Sequence, residues 1–338
     1  MTTPPGQTVA DLGERAVIDR LAARVPAAPA FVRVGIGDDA AVIEPARNAA
    51  DVVTTDALVE GVHFDRVSVP PAAIGHKALA VNLSDLAAMG AEPRAALLSL
   101  VLPGSLPVED FDGMVAGFMA LADRYGVALV GGNIARSPGP VIVDVTAIGS
   151  VRPRRSLSRG GARPGDGIYV SGSVGAAYAG FLASRAPAAE PVDAGECLER
   201  FLRPDPRVRL GLLLARNRVA SACVDLSDGL ADAVSQVARA SGVGAEIDGD
   251  AVPVPDAARR IIEGHETRDP LDAAMTGGED YELLFTVPAR RRRALGAVTR
   301  LLQGLPCTRV GTITADRRLV VRRQGAARPL PAGFAHFR

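Results

Sequence analysis

Residues 75–90 read as one helix, Gly75-His76-Lys77-Ala78-Leu79-Ala80-Val81-Asn82-Leu83-Ser84-Asp85-Leu86-Ala87-Ala88-Met89-Gly90, stopped by Gly90 and Pro93. Apolar residues fill nearly every position except Lys77, Asn82, Ser84 and Asp85. A helix apolar all round is a buried one, so the fold must cover it on every side. Asn82 and Asp85, three apart on one face, then need partners inside the protein. A buried carboxylate is usually paired or metal-bound.

Strands and helices alternate on both sides of that helix. The spacing predicts a leading amphipathic helix over 11–24, a strand over 95–102, a helix over 108–125, and strands over 127–130 and 141–149. In the second half a strand at 168–170 leads through Gly172 and Gly175 into a helix. The 338 residues hold two domains of α/β or α+β type. The Arg152-Pro153-Arg154-Arg155 linker divides them into residues 1–150 and 151–338.

Oxygen-bearing side chains cluster at the ends of these elements. Val34-Gly35-Ile36-Gly37-Asp38-Asp39 sits between two apolar runs, and adjacent side chains of an extended chain point to opposite sides, so one carboxylate turns inward and the other braces the loop. A β-branched run is expected to end at Thr54, Thr55 and Asp56, with His63 following at a loop edge. The strand over 127–130 is expected to end in Gly131-Gly132-Asn133. Asp225-Leu226-Ser227-Asp228-Gly229 delivers two carboxylates to the start of a helix, with Ser227 or Asp228 as the N-cap. Gly277-Gly278-Glu279-Asp280-Tyr281-Glu282 precedes a last strand. If Asp39, Asp56, Asp85, Asp225 and Asp228 converge, their repulsion raises their pKa values unless cations lie between them. Hard oxygen donors without a matching His/Cys set favour Mg²⁺, and Mg²⁺ completes its octahedron with water and substrate phosphates. No Gly-x-x-x-x-Gly-Lys-Ser/Thr loop and no protein-kinase signature accompany them. A metal-rich kinase or ATP-dependent synthetase outside the common nucleotide folds follows.

Composition removes several other classes. The 38 basic and 38 acidic residues cancel, which gives no electrostatic case for nucleic acid or an anionic membrane as a partner. Three widely spaced cysteines, Cys197, Cys223 and Cys307, read as core residues of a reducing compartment. The N-terminus lacks a secretory pattern and no window reads as a membrane span, so a cytoplasmic protein is expected.

Taken in order, these motifs resemble the thiamine-monophosphate kinase family, within the wider aminoimidazole-ribonucleotide-synthetase-like superfamily. The resemblance implies an N-terminal sheet domain that dimerises and a C-terminal α/β domain that closes the active site. It implies the reaction ATP + thiamine monophosphate → ADP + thiamine diphosphate, by in-line transfer. Asp39, Thr54, Thr55, Asp56, Asp85, Asn133, Asp225 and Asp228 match the family's Mg²⁺ ligands, with Asp56, Asp85 and Asp228 at the chemistry. Gly132, Asn133, Arg155 and Ser227 match its ATP contacts, and His63, Glu279 and Phe334 its thiamine-monophosphate contacts. The family often has Asp where this chain has Asn133, a neutral amide and a weaker Mg²⁺ ligand. Within the superfamily the alternatives are a hydrogenase-maturation or selenophosphate-type ATPase, which the missing terminal cysteine disfavours, and aminoimidazole-ribonucleotide synthetase. A non-catalytic nucleotide-binding dimer is the alternative from another class.

Overall fold

The all-apolar stretch lies in an 18-residue helix, Pro71–Ala88, in which every residue from Ala73 to Ala88 is buried except His76 and Asp85. The computed structural model describes residues 6–185 and 194–333. The chain divides into one unit of Met1–Leu86 and Glu92–Pro153 and a second of Ala87–Ala91 and Arg154–Arg338. Among the described residues no helix is long and apolar enough to cross a membrane.

The first unit runs α1 (Val9–Leu12), α2 (Glu14–Ala22), β1 (Val32–Val34), β2 (Val42–Ile43), β3 (Ala50–Val59), α3 (Pro71–Ala88), β4 (Glu92–Pro103), α4 (Val108–Tyr125), β5 (Ala128–Ser137) and β6 (Ile142–Val151). Four strands form a sheet in the order β3-β6-β4-β5. Only β4 and β5 pair in parallel, and α4 makes the crossover that a parallel pair requires. Burial alternates along β3, β6 and most of β4. Leu58, Val143, Val145, Leu98, Leu100 and Leu129 are buried on one face. On the other face Val53 is 62% exposed.

Helices α3 and α4 meet backbone to backbone. A Cβ on Gly75 would lie 1.8 Å from the Met114 carbonyl oxygen, and one on Gly117 1.8 Å from that of Ala72. Any other residue at either position would have to push the two helix backbones apart.

The second unit runs β7 (Gly167–Ser171), α5 (Ala176–Arg185), α6 (Gly195–Leu202), α7 (Val208–Arg216), β8 (Ala222–Asp225), α8 (Leu230–Ser241), β9 (Gly244–Asp248), α9 (Asp256–His265), α10 (Pro270–Thr276), β10 (Leu283–Val287), α11 (Arg292–Arg300), β11 (Cys307–Thr314), β12 (Leu319–Arg323) and β13 (Ala326–Pro329). Its seven strands order as β13-β12-β9-β11-β7-β10-β8, antiparallel except for β12 against β9. Ile168, Val224, Ile247, Leu284 and Val321 join α5 and α8–α10 in one core. All three cysteines are free thiols.

Four local expectations change. The helix expected over 11–24 is two, because Gly13 at φ +75° breaks it and Thr8 and Asp11 cap α1 reciprocally. Strand β3 continues past Thr54-Thr55-Asp56 to Val59, since β6 pairs with it over its whole length. Strand β5 likewise runs through Gly131-Gly132 to Ser137 along β4. The N-cap of α8 is Gly229, with no side-chain cap bond from Ser227 or Asp228. At φ +91° the chain there turns where a Cβ would lie 2.6 Å from the Met275 carbonyl oxygen.

The glycine contact between α3 and α4 predicts that Gly117→Ala lowers the melting temperature by roughly 4–10 °C, the overpacking cost spread over a domain of this size. Scanning calorimetry checks this; a shift below about 1 °C would show that the helices slide apart freely.

Candidate active site

In the first unit, pleat parity sorts the expected ligands. Thr54 and Asp56 share the face of β3 that carries buried Leu58, while Thr55 points the other way. Across that first face, Thr54 Oγ1 donates a short hydrogen bond to Asp85 Oδ2 of α3. This pairing supplies the partner that the buried helix demanded. Thr55 Oγ1 instead donates to Asp144 Oδ1 at 3.1 Å and accepts from Thr146 Oγ1 at 3.2 Å.

Register places Asp56, Val145, Leu98 and Gly132 in one row across the sheet. Asp56 and Gly132 therefore lie three strand intervals apart, about 14 Å. Asn133 pairs with Ser99 and shares the face of Thr55, away from Thr54 and Asp56. A Cβ on Gly132 would lie 1.8 Å from the Leu98 carbonyl oxygen, so strand pairing alone requires that glycine.

Asp38 braces its loop by accepting the Asp39 N–H at 2.9 Å, as expected, but both carboxylates are exposed and neither turns inward. His63 folds back on β3, where its Nδ1 accepts the Val59 N–H at 3.0 Å. The neutral ring then carries its proton on Nε2.

In the second unit two distant motifs become one loop pair. Glu279 N–H donates to the Ser227 carbonyl at 2.7 Å, Tyr281 N–H to that of Leu226 at 3.1 Å, and Leu226 N–H to that of Glu282 at 2.8 Å. Asp225 is 4% exposed at the end of β8. Burial, then the Asp225 charge, keeps the Cys223 thiol protonated. Ser227, Asp228 and Glu279 are partly exposed beside it. Arg155 Nη1 donates to the carbonyl of Arg216, the last residue of α7, at 3.2 Å. Phe334 lies outside the described residues.

The donor set fits Mg²⁺ by chemistry: hydroxyls, carboxylates and an amide oxygen, with no thiolate. Asn82 adds a second sign. Its Nδ2 donates to the Ala78 carbonyl at 3.0 Å, but its buried Oδ1 has no partner, one helical turn from Asp85. An orphan acceptor beside a carboxylate is what a hydrated cation satisfies. Among the described residues no three His, Cys, Asp or Glu side chains lie close enough to hold a metal by themselves.

Sequence reasoning missed the groups behind the loop pair. Glu282 is 1% exposed, accepts from Arg207 Nε at 2.6 Å and from Nη2, and also from Ser171 Oγ at 2.5 Å. Asp280 accepts the Gly175 and Ala177 N–H groups, at 2.7 and 3.1 Å, at the start of α5. The signal was present in Tyr281-Glu282-Leu283-Leu284-Phe285, where one acid interrupts an apolar run and must find a buried cation.

The chain matches the family model for AIR synthase related protein, N-terminal domain, over residues 37–151, and that for AIR synthase related protein, C-terminal domain, over 163–324. It is 40% identical over 306 residues to the thiamine-monophosphate kinase of Salmonella typhimurium, covering 90% of this chain and 91% of that one. The crystal structure of thiamine-monophosphate kinase from Stenotrophomonas maltophilia superposes with TM-score 0.77 at 40% identity, over 91% of this chain and 95% of that chain. The structure of AaThiL complexed with AMPPCP and TMP superposes with TM-score 0.75 at 33% identity, over 99% and 100%.

Burial pushes Asp280 from the ordinary 3.8 up to about 7, its two amide donors pulling the other way. The folded state therefore holds this proton more tightly than the unfolded state between pH 3.8 and about 7. The contribution of this group to stability is full below that window and falls as pH rises through it. Asp280→Asn is expected to flatten that slope. Urea denaturation of both proteins across the window checks this; parallel profiles would show that another group titrates.

Proposed function

The chain belongs to the thiamine-monophosphate kinase family and is a kinase with a phosphate group as acceptor; on that premise we propose that it converts ATP and thiamine monophosphate into ADP and thiamine diphosphate by direct in-line transfer with several Mg²⁺ ions. The observation that carries this reading is the likeness, over 99% of the chain, to a structure that holds AMPPCP and TMP together.

A phosphate oxygen of thiamine monophosphate forms a bond to the γ-phosphorus of ATP as the bond to the β–γ bridging oxygen breaks, and the electron pair leaves with ADP. The attacking oxygen is already anionic at neutral pH, so no general base is needed; alignment and charge neutralisation are the whole task. In this reading Asp39, Thr54, Thr55, Asp56, Asp85, Asn133, Asp225 and Asp228 are the Mg²⁺ ligands, with Asp56, Asp85 and Asp228 nearest the chemistry. Bound Mg²⁺ would neutralise phosphate charge. Gly132, Asn133, Arg155 and Ser227 hold ATP. His63, offering Nε2–H, holds thiamine monophosphate together with Glu279 and Phe334. The open face of the first unit's sheet, with Val53 62% exposed, is assigned to a second copy of the chain. Val53→Asp should then halve the mass measured by light scattering, and an unchanged mass rejects that face.

Asp85→Asn keeps an oxygen to accept from Thr54 but removes the charge. It is expected to cut kcat by about 10²–10³-fold, the scale of losing one electrostatic contact at the reacting centre, with the melting temperature nearly unchanged. ADP release with Mg²⁺ and ATP, compared among thiamine monophosphate, thiamine and no acceptor, is the test. Near-normal turnover of the variant would reject the Asp85 role. ADP formed equally without acceptor would reject the kinase reading.

A further inference from the structure

The loop that carries Glu279 is clamped from one side by the first turn of α5. Gly278, Glu279 and Tyr281 have φ of +74°, +67° and +48°. A non-glycine residue in that left-handed region is strained and persists only where its surroundings enforce it. The bonds from Glu279 and Tyr281 to Ser227 and Leu226 enforce it from the side of β8. Asp280, capping α5, enforces it from the other.

Tyr178 completes that second side. The root of its ring packs against Gly277, where a Cβ would come within 2.1 Å of the ring Cγ. Its hydroxyl donates to Glu266 Oε1 and accepts from Arg268 Nη2 at 2.8 Å. Arg268 in turn bonds Glu266 Oε2 through Nε at 2.6 Å and reaches Thr276 Oγ1, next to the glycine pair, at 3.2 Å. The Arg268 guanidinium also lies 5.8 Å from the Tyr178 ring centroid, and the Phe181 ring stacks at 6.2 Å. Burial and the Glu266 carboxylate push the phenol up to about 12, so it remains a neutral donor. Three side chains thus hold one ring in place, and that ring holds the loop.

Of the three carboxylates in residues 279–282, Asp280 and Glu282 are buried and bonded inward; Glu279 alone is partly exposed. We infer that Tyr178, held by Glu266 and Arg268, is a positioning residue that fixes the Gly277–Glu279 backbone and so aims the Glu279 carboxylate at the acceptor substrate. The aim at that substrate rests on the function proposed above; the clamp itself does not.

Tyr178→Phe leaves the ring on Gly277 and deletes both hydroxyl bonds. Two readouts on the full chain separate the clamp from the function. Hydrogen exchange of the peptide spanning 276–283 is expected to rise about tenfold at the protected Glu279 and Tyr281 amides, with the amides of β8 unchanged. KM for thiamine monophosphate is expected to rise about fivefold, the scale of one lost hydrogen bond, with kcat and KM for ATP within about twofold. A merely structural role would instead move melting temperature and both KM values together. Combined with Glu279→Gln, Tyr178→Phe should add nothing further to KM, because both act through one carboxylate. Unchanged exchange overturns the clamp, and raised exchange with unchanged KM, or additive effects, overturns its role toward the substrate. Raised exchange in a protein whose wild type releases no acceptor-dependent ADP supports the clamp and rejects the kinase reading.

Discussion

The first unit depends on the burial of α3. A helix with no polar face must be enclosed, and enclosure is close enough here that α3 and α4 meet through Gly75 and Gly117 rather than through side chains. Enclosure takes Lys77, Asn82 and Ser84 of α3 out of water and leaves His76 and Asp85 only partly exposed. Asp85 finds Thr54 on β3, and Asn82 finds half of what it needs. The oxygen-rich position proposed for metal follows from packing. It sits where an apolar helix could not avoid exposing a carboxylate to the neighbouring strand.

Pleat parity then constrains what that position can include. Side chains of one strand alternate between faces, so Thr54 and Asp56 act from the helix side while Thr55 belongs with Asp144 and Thr146. Three consecutive oxygen-bearing residues look like one ligand set in the sequence and are two sets in the sheet. Asn133 falls on the same far face by register with Ser99. The second unit escapes this limit by using loops. Backbone bonds join the turn after β8 to the turn before β10, so Ser227, Asp228 and Glu279 gather without obeying any pleat.

Much of this was legible in the residues, and the exceptions have physical causes. The helix over 108–125 matches α4 from end to end because its apolar stripe, Pro107 before it and left-handed Gly126 after it agree. Strand interiors were legible as well, but strand ends were not. Thr54–Asp56 and Gly131–Gly132 look like termini, yet pairing with β6 and β4 carries both strands past them. The cap of α8 was not legible, because Ser227 and Asp228 are both good caps in isolation and the crowding from Met275 at Gly229 exists only in the fold. The acidic motif 279–282 was legible as functional but not as a mixture. Its second and third acids, Asp280 and Glu282, serve the frame and its first, Glu279, is left partly exposed.

That division inside one motif explains the buried ion pair behind it. Glu282 and Arg207 are both nearly inaccessible, and taking two charges from water costs several kcal/mol per ion before their attraction returns any of it. Such a pair adds little net stability, whereas removing one partner strands the other at about 3–5 kcal/mol. Its effect is therefore on specificity of conformation. The Arg207 fork donates to both Glu282 oxygens and so fixes the carboxylate in one orientation, and Ser171 Oγ donates to that carboxylate and accepts the Leu283 amide, at 2.5 and 2.9 Å. Glu282 is the first residue after the left-handed Tyr281 and the last before β10 begins. A fixed Glu282 pins the strand end, the pinned end holds Tyr281 and Glu279 in a backbone they would otherwise leave, and the charge at Glu279 inherits its position from a charge that never meets solvent.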